Sequence, residues 1–142
     1  MRLIVLLLLL AGGAGAEVAV IANPDVPVET LSRDKLYEFY TGESRHWEDD
    51  VPVVVFDLKP RNEVKQVFYK FLGKSPSRMK SVWMKRMLAG EGKPPEALES
   101  EAEVAARVAA TPGALGFVSP GHAGEKVKVL ILLDIQGKRV AP

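Results

Sequence analysis

Pro52-Val53-Val54-Val55-Phe56-Asp57-Leu58-Lys59-Pro60-Arg61-Asn62-Glu63 is the stretch that decides the fold. Four successive apolar residues, Val53 to Phe56, need cover on both faces. That is the pattern of a central strand in a sheet flanked by helices, and it predicts a strand over 52–57. Pro60 supplies a helix-start signal. Val64, Val67, Phe68 and Phe71 then recur on one stripe, with Glu63, Lys65 and Lys70 on other faces, until Gly73. Strand, charged turn and amphipathic helix thus follow one another within about 20 residues.

Working outward, Val18-Ala19-Val20-Ile21-Ala22 reads as a buried strand stopped by Asn23-Pro24. Ser32 caps a short helix whose buried side is Leu36, Phe39 and Tyr40, and Thr41-Gly42 ends it. Ser75-Pro76 opens a further helix with Met79, Val82, Trp83, Met87 and Leu88 as its apolar surface. Gly90 to Pro95 is a loop dense in helix breakers. Ser100 followed by Glu103 is a capping box for a helix that buries Val104, Ala105, Val108 and Ala109. Strands follow at 114–118 and 127–133, and the residues after Gly137 read as an edge strand or tail. The helices centre near 36, 67, 83 and 105. This order predicts an α/β three-layer sandwich, a central mixed sheet with helices on both faces.

At the start of the chain, Arg2, the apolar run Leu3 to Leu10 and the small residues Ala11 to Ala16 form the pattern of a signal peptide. The run falls short of the roughly 20 apolar residues that span a membrane. The expectation is export to the periplasm, cleavage after Ala16, and no stable membrane insertion thereafter. No cysteine follows the apolar run, which excludes a lipid anchor there. Residues 17–142 then make one domain of about 126 residues, enough for one core.

Without Arg2 that domain carries 18 Lys and Arg against 18 Asp and Glu. A net charge of zero argues against nucleic acid as a partner. Cys 0 removes disulfides, thiol nucleophiles and thiolate metal sites. His46 and His122 sit in no metal-ligand spacing, and the acids Glu48 to Asp50 read as a solvated turn. Ser119 near His122 lacks the strand-to-helix elbow and any evident third group of a hydrolase. Gly113 and Gly116 fit a tight helix-to-strand turn and close backbone packing. Trp47 and Trp83 read as packing residues. The expectation is a non-enzyme with no metal and no cofactor.

One ligand reading stands on the residues themselves. The free N–H groups at the helix start after Pro60, flanked by Lys59 and Arg61, form a candidate anion site. Asp57 and Glu63 in the same turn oppose it, and an ordinary charged cap is the alternative.

Three segments carry a resemblance. Leu31 to Trp47, with Phe39-Tyr40-Thr41-Gly42 and Trp47, resembles the short helix and “F/Y-x-G-x-x-x-x-W” element of phosphate-binding proteins of ABC transporters. Val53 to Phe56 with the helix holding Phe68 and Phe71 is the second segment. Val108 to Val118, with Pro112-Gly113-Ala114-Leu115-Gly116-Phe117-Val118, resembles that family's “P-G-A-I-G-Y-V” element. Residues 68–95 are especially similar to compact PstS-like proteins that carry a single lobe. The resemblance implies one lobe of a type II periplasmic-binding fold, with phosphate or another oxyanion as ligand and an ABC transporter permease as partner. In the full family the site loop reads about “R-S-D-G-S-G-T”. Here Asp57 stands at the arginine, Arg61 at the first ligand serine, Asn62 at the glycine and Glu63 at the threonine. The site this implies consists of the backbone N–H groups of Arg61, Asn62 and Glu63, with Arg61 adding its side chain and Lys59 a peripheral charge. The missing hydroxyls leave an alternative, a lobe without ligand that binds an envelope protein.

Overall fold

The computed structural model describes residues 16–141; the predicted leader, apart from Ala16, lies outside the described residues. Its apolar runs become the strands of one six-stranded sheet. These are β1 (Val18–Ala22), β2 (Val54–Leu58), β3 (Glu96–Leu98), β4 (Ala114–Val118), β5 (Lys128–Leu133) and β6 (Arg139–Ala141), in the order β3-β2-β4-β1-β5-β6. β1 lies between antiparallel neighbours, with Ala19 opposite both Val118 and Leu132, so all five of its residues are buried. β2 runs parallel to β4, pairing Val54 with Ala114, and parallel to β3, pairing Asp57 with Ala97.

The strands depart from the sequence expectation in three places: β2 runs 54–58 rather than 52–57, β5 begins at Lys128 rather than at residue 127, and β3 is additional. β2 starts at Val54 rather than at residue 52, because Pro52 forms only an isolated bridge with His46 and the Val53 N–H donates to the Arg45 carbonyl. β3 follows the Gly90–Pro95 loop and was not foreseen: it has three residues, of which Leu98 alone is buried.

Four helices cover the sheet. α1 (Arg33–Thr41) is capped by the Ser32 hydroxyl, which accepts from the Lys35 N–H. α2 (Glu63–Leu72), α3 (Pro76–Leu88) and α4 (Glu101–Ala110) start on Asn62, Ser75 and Ser100. The alternation within β4 sorts them onto two faces. Phe117 stacks on Phe68 of α2 with ring centroids 3.9 Å apart and an interplanar angle of 11°, and approaches Tyr40 of α1. Gly116, one residue earlier, points the opposite way, where a Cβ would lie 2.6 Å from Val104 Cγ1 of α4. The three-layer α/β sandwich is therefore present, with helices on both faces.

Ends of elements hold one another. Asn23, which stops β1, is buried and donates to the carbonyls of Val108 and Ala109 at the end of α4. Arg33 of α1 donates to the last carbonyls of α2, Phe71 and Leu72, where a cation also meets the helix dipole favourably. Both tryptophans serve the core: Trp47 Nε1 donates to the Gly113 carbonyl and Trp83 Nε1 to the Tyr40 carbonyl. The apolar surface expected of α3 is realised only in part. Met79 and Trp83 are buried, whereas Met87 and Leu88 are 51% and 83% exposed, since no element packs over the last turn.

Candidate anion-binding site

β3, β2 and β4 run parallel, so their carboxyl ends lie along one edge of the sheet. In open α/β sheets ligands bind outside that edge, on the loops leading to the next helices. Here those loops are 59–62, 99–100 and 119–122, and the loop 59–62 leads to α2.

Asn62 is extended and its side chain accepts from the Lys65 N–H at 3.1 Å, a standard helix cap. Among the described residues no acceptor meets the backbone N–H groups of Arg61, Asn62 or Glu63. Arg61 itself adopts φ 70°, a left-handed conformation uncommon for a residue with a side chain. Its guanidinium is exposed and has no ion-pair partner among the described residues. Lys59 is not a free charge, since its ammonium lies 3.6 Å from Glu99.

Asp57 behaves differently from the sequence expectation. Its carboxylate was expected to oppose an anion, yet it is held inside the fold. The Tyr69 hydroxyl donates to Oδ2 at 3.0 Å, the Lys65 ammonium lies 3.4 Å away, and the Leu58 N–H donates to Oδ1 at 2.8 Å. Lys65 also donates to the Leu58 carbonyl at 2.8 Å. Burial, then the charge of Asp57, pushes the Tyr69 phenol far above its ordinary range, so it remains a donor. Lys65 is thus the cation that neutralises the end of β2. Sequence spacing placed it on a wet face and missed this role, because the pairing depends on how α2 folds back over β2. Glu63 remains at the mouth as an exposed acid.

The Ser119–His122 turn reaches the same edge. Ser119 Oγ lies 2.8 Å from His122 Nδ1, and Glu101 Oε1 lies 3.5 Å from that same nitrogen. A third group is therefore present, contrary to the sequence reading. Glu101 follows the Ser100 cap, and that position brings it to the end of β4, where it accepts from the Ser119 N–H. A catalytic triad needs hydroxyl and carboxylate on opposite ring nitrogens. Both use Nδ1 here, so the cluster ties a turn to a helix start rather than activating a nucleophile. The residues 47–50 form a tight turn in which the Asp50 N–H donates to the Trp47 carbonyl. No group of three His, Asp or Glu able to hold a metal occurs among the described residues.

No family model matches the chain, and no curated protein does. Solved structures do match. An ABC-type phosphate transport receptor from Vibrio cholerae superposes with a TM-score of 0.66 at 21% identity, covering 84% of this chain and 47% of that one. A structure from Clostridium perfringens, named as a phosphate ABC transporter substrate-binding protein and holding bound phosphate, gives 0.68 at 17% identity, covering 84% and 46%. PstS from Borrelia burgdorferi gives 0.62 at 14%, covering 82% and 47%. The chain spans less than half the length of these proteins. It has the α/β fold of one lobe of the PstS-like phosphate-binding proteins.

Proposed function

We propose that this chain is an exported, non-enzymatic solute-binding-type protein that takes phosphate or another oxyanion and serves ABC transport in the periplasm. In this reading residues 1–16 are removed and residues 17–142 act as the domain. The observation that carries it is the start of α2, where three backbone N–H groups without acceptors stand at the carboxyl end of a parallel strand. The anion meets the N–H groups of Arg61, Asn62 and Glu63 and the positive end of the α2 dipole. The Arg61 guanidinium adds a fork, and Lys59 contributes less because Glu99 holds it. The internal neutralisation of Asp57 supports the site, whereas Glu63 weakens it.

Affinity is then micromolar to millimolar, and salt lowers it because the contacts are exposed. Titration calorimetry of the cleaved protein with phosphate and with sulfate tests this. Saturable binding that R61A reduces severalfold supports the site. Tight phosphate binding indifferent to R61A rejects it.

A second reading is favoured by one observation, the absence of hydroxyl donors from the loop 59–63 together with Glu63 and Glu99 at its mouth. In that reading the lobe has given up its ligand and the same edge binds an envelope protein. No detectable anion binding, with recovery of a specific envelope partner in pull-downs, supports it.

A further inference from the structure

A cavity lies away from the α2 start. It has a volume of about 460 Å³ and opens between the segment 42–46, the first half of β2 and the loop 91–95. It exists because β3 pairs only with Phe56 to Leu58, so the preceding residues of β2 have no strand on that side. The floor is apolar, made by Phe39, Trp83, Val53, Val55 and the Pro94-Pro95 wall. Cavities of this size and lining take small molecules.

The charges around the cavity are all of one available sign. Its two carboxylates are already engaged: Glu91 lies 3.4 Å from Arg86, and Glu96 lies 2.9 Å from Arg107. Arg45 and Lys93 also line it, and neither has an ion-pair partner among the described residues. The Arg45 guanidinium lies over the backbone of Gly92, where a Cβ would be 3.5 Å from Nη2 and 3.9 Å from Trp83 Cζ3. Gly92 thus stands beside both the planar cation and the Trp83 ring that line the cavity. His46 lines it as well.

We propose that this cavity binds a small organic anion with an apolar body, its carboxylate between Arg45 and Lys93 and its body against Trp83 and Val53–Val55. An inorganic oxyanion would leave the apolar floor empty, and a neutral hydrophobe would leave both cations unmatched. The cavity reaches along β2 only as far as Phe56, about 10 Å of extended chain short of Lys59, and none of residues 59–63 lines it, so the cavity and the α2 start are separate places.

The test uses ¹⁵N-labelled protein at low salt, titrated with 3-phenylpropionate, with its neutral amide, and with inorganic phosphate. The expected result is saturable shifts of the Trp83 indole N–H and of the Arg45, Val55 and Gly92 amides with the carboxylate. The amide binds at least tenfold more weakly, and R45Q and K93Q each weaken the carboxylate severalfold while leaving the spectrum otherwise folded. Phosphate does not displace the carboxylate, whatever it does at residues 61–63. Equal binding of acid and amide, or no shifts at these residues, overturns the proposal. So does an acidic hexapeptide that shifts them where phenylpropionate does not, which assigns the cavity to a protein partner.

Discussion

The Tyr69 hydroxyl donates to the Asp57 carboxylate at 3.0 Å, tying the carboxyl end of β2 to the second turn of α2. Lys65 joins the same carboxylate at 3.4 Å, and its side chain is only 12% exposed. The candidate anion loop 59–62 is spanned by this bracket. Its geometry therefore depends on charges buried behind it.

Removing one member of the bracket leaves the other charge with poor cover. K65M is expected to cost about 2 kcal/mol, below the range for fully buried pairs because Asp57 keeps the Tyr69 and Leu58 donors. The double variant D57N/K65M should recover part of that loss. Urea unfolding of wild type and both variants checks it, and equal midpoints for wild type and K65M would show that the pair carries no stability.

Alkaline pH should weaken the fold. Burial, then the Asp57 charge, raises Tyr40 and Tyr69 above the ordinary 10.0. Below about pH 10 both are neutral whether folded or unfolded, and they contribute no pH dependence. Above it the unfolded tyrosines lose protons while the folded ones keep theirs, so stability falls as pH rises. Each contributes a slope of up to about 1.4 kcal/mol per pH unit. Denaturation midpoints at pH 8 and pH 11 should converge partly in Y69F.

Gly116 sits too close to α4 for any side chain. In G116A the new methyl meets Val104 Cγ1 at 2.6 Å and Val108 Cγ2 at 3.1 Å. Overpacking of this kind costs about 1–3 kcal/mol. G116A/V104A should be more stable than the sum of the two single losses, measured by thermal unfolding, because each change relieves the other.

At Arg61 stability and binding should move in opposite directions. A residue with a Cβ at φ 70° carries a left-handed penalty of about 1 kcal/mol that glycine escapes. R61G is expected to raise the unfolding midpoint while weakening oxyanion binding, with calorimetry and denaturation read on the same sample. A stability loss would place the Arg61 side chain in a structural contact.

Much of the architecture was legible in local patterns. β1 and β4 are apolar throughout because each has a neighbour on both sides and helices above and below, and that need is written in consecutive residues. Ser32, Ser75 and Ser100 announced their helices, since a cap is a contact three residues long. β3 was illegible: Glu96 and Ala97 are exposed, and only pairing with β2 makes them a strand. The helical spacing of Met87 and Leu88 could not reveal that nothing covers them. In the candidate site the loop 59–63 was visible from its turn chemistry, while Lys65 and Glu101 depended on tertiary folding. Neither meets its partner through helix or strand spacing.

The placement of β1 has a consequence for when this molecule can exist. The earliest strand of the sheet is completed by the latest ones, Val18 opposite Leu133, so nearly the whole described chain must be threaded out before the centre closes. Pairings of such long sequence separation form slowly. A nascent chain that still lacks β5 holds its first strand with one edge bare, in a state that an aggregate can capture. The centre of the sheet can therefore close only after residue 133 has been made.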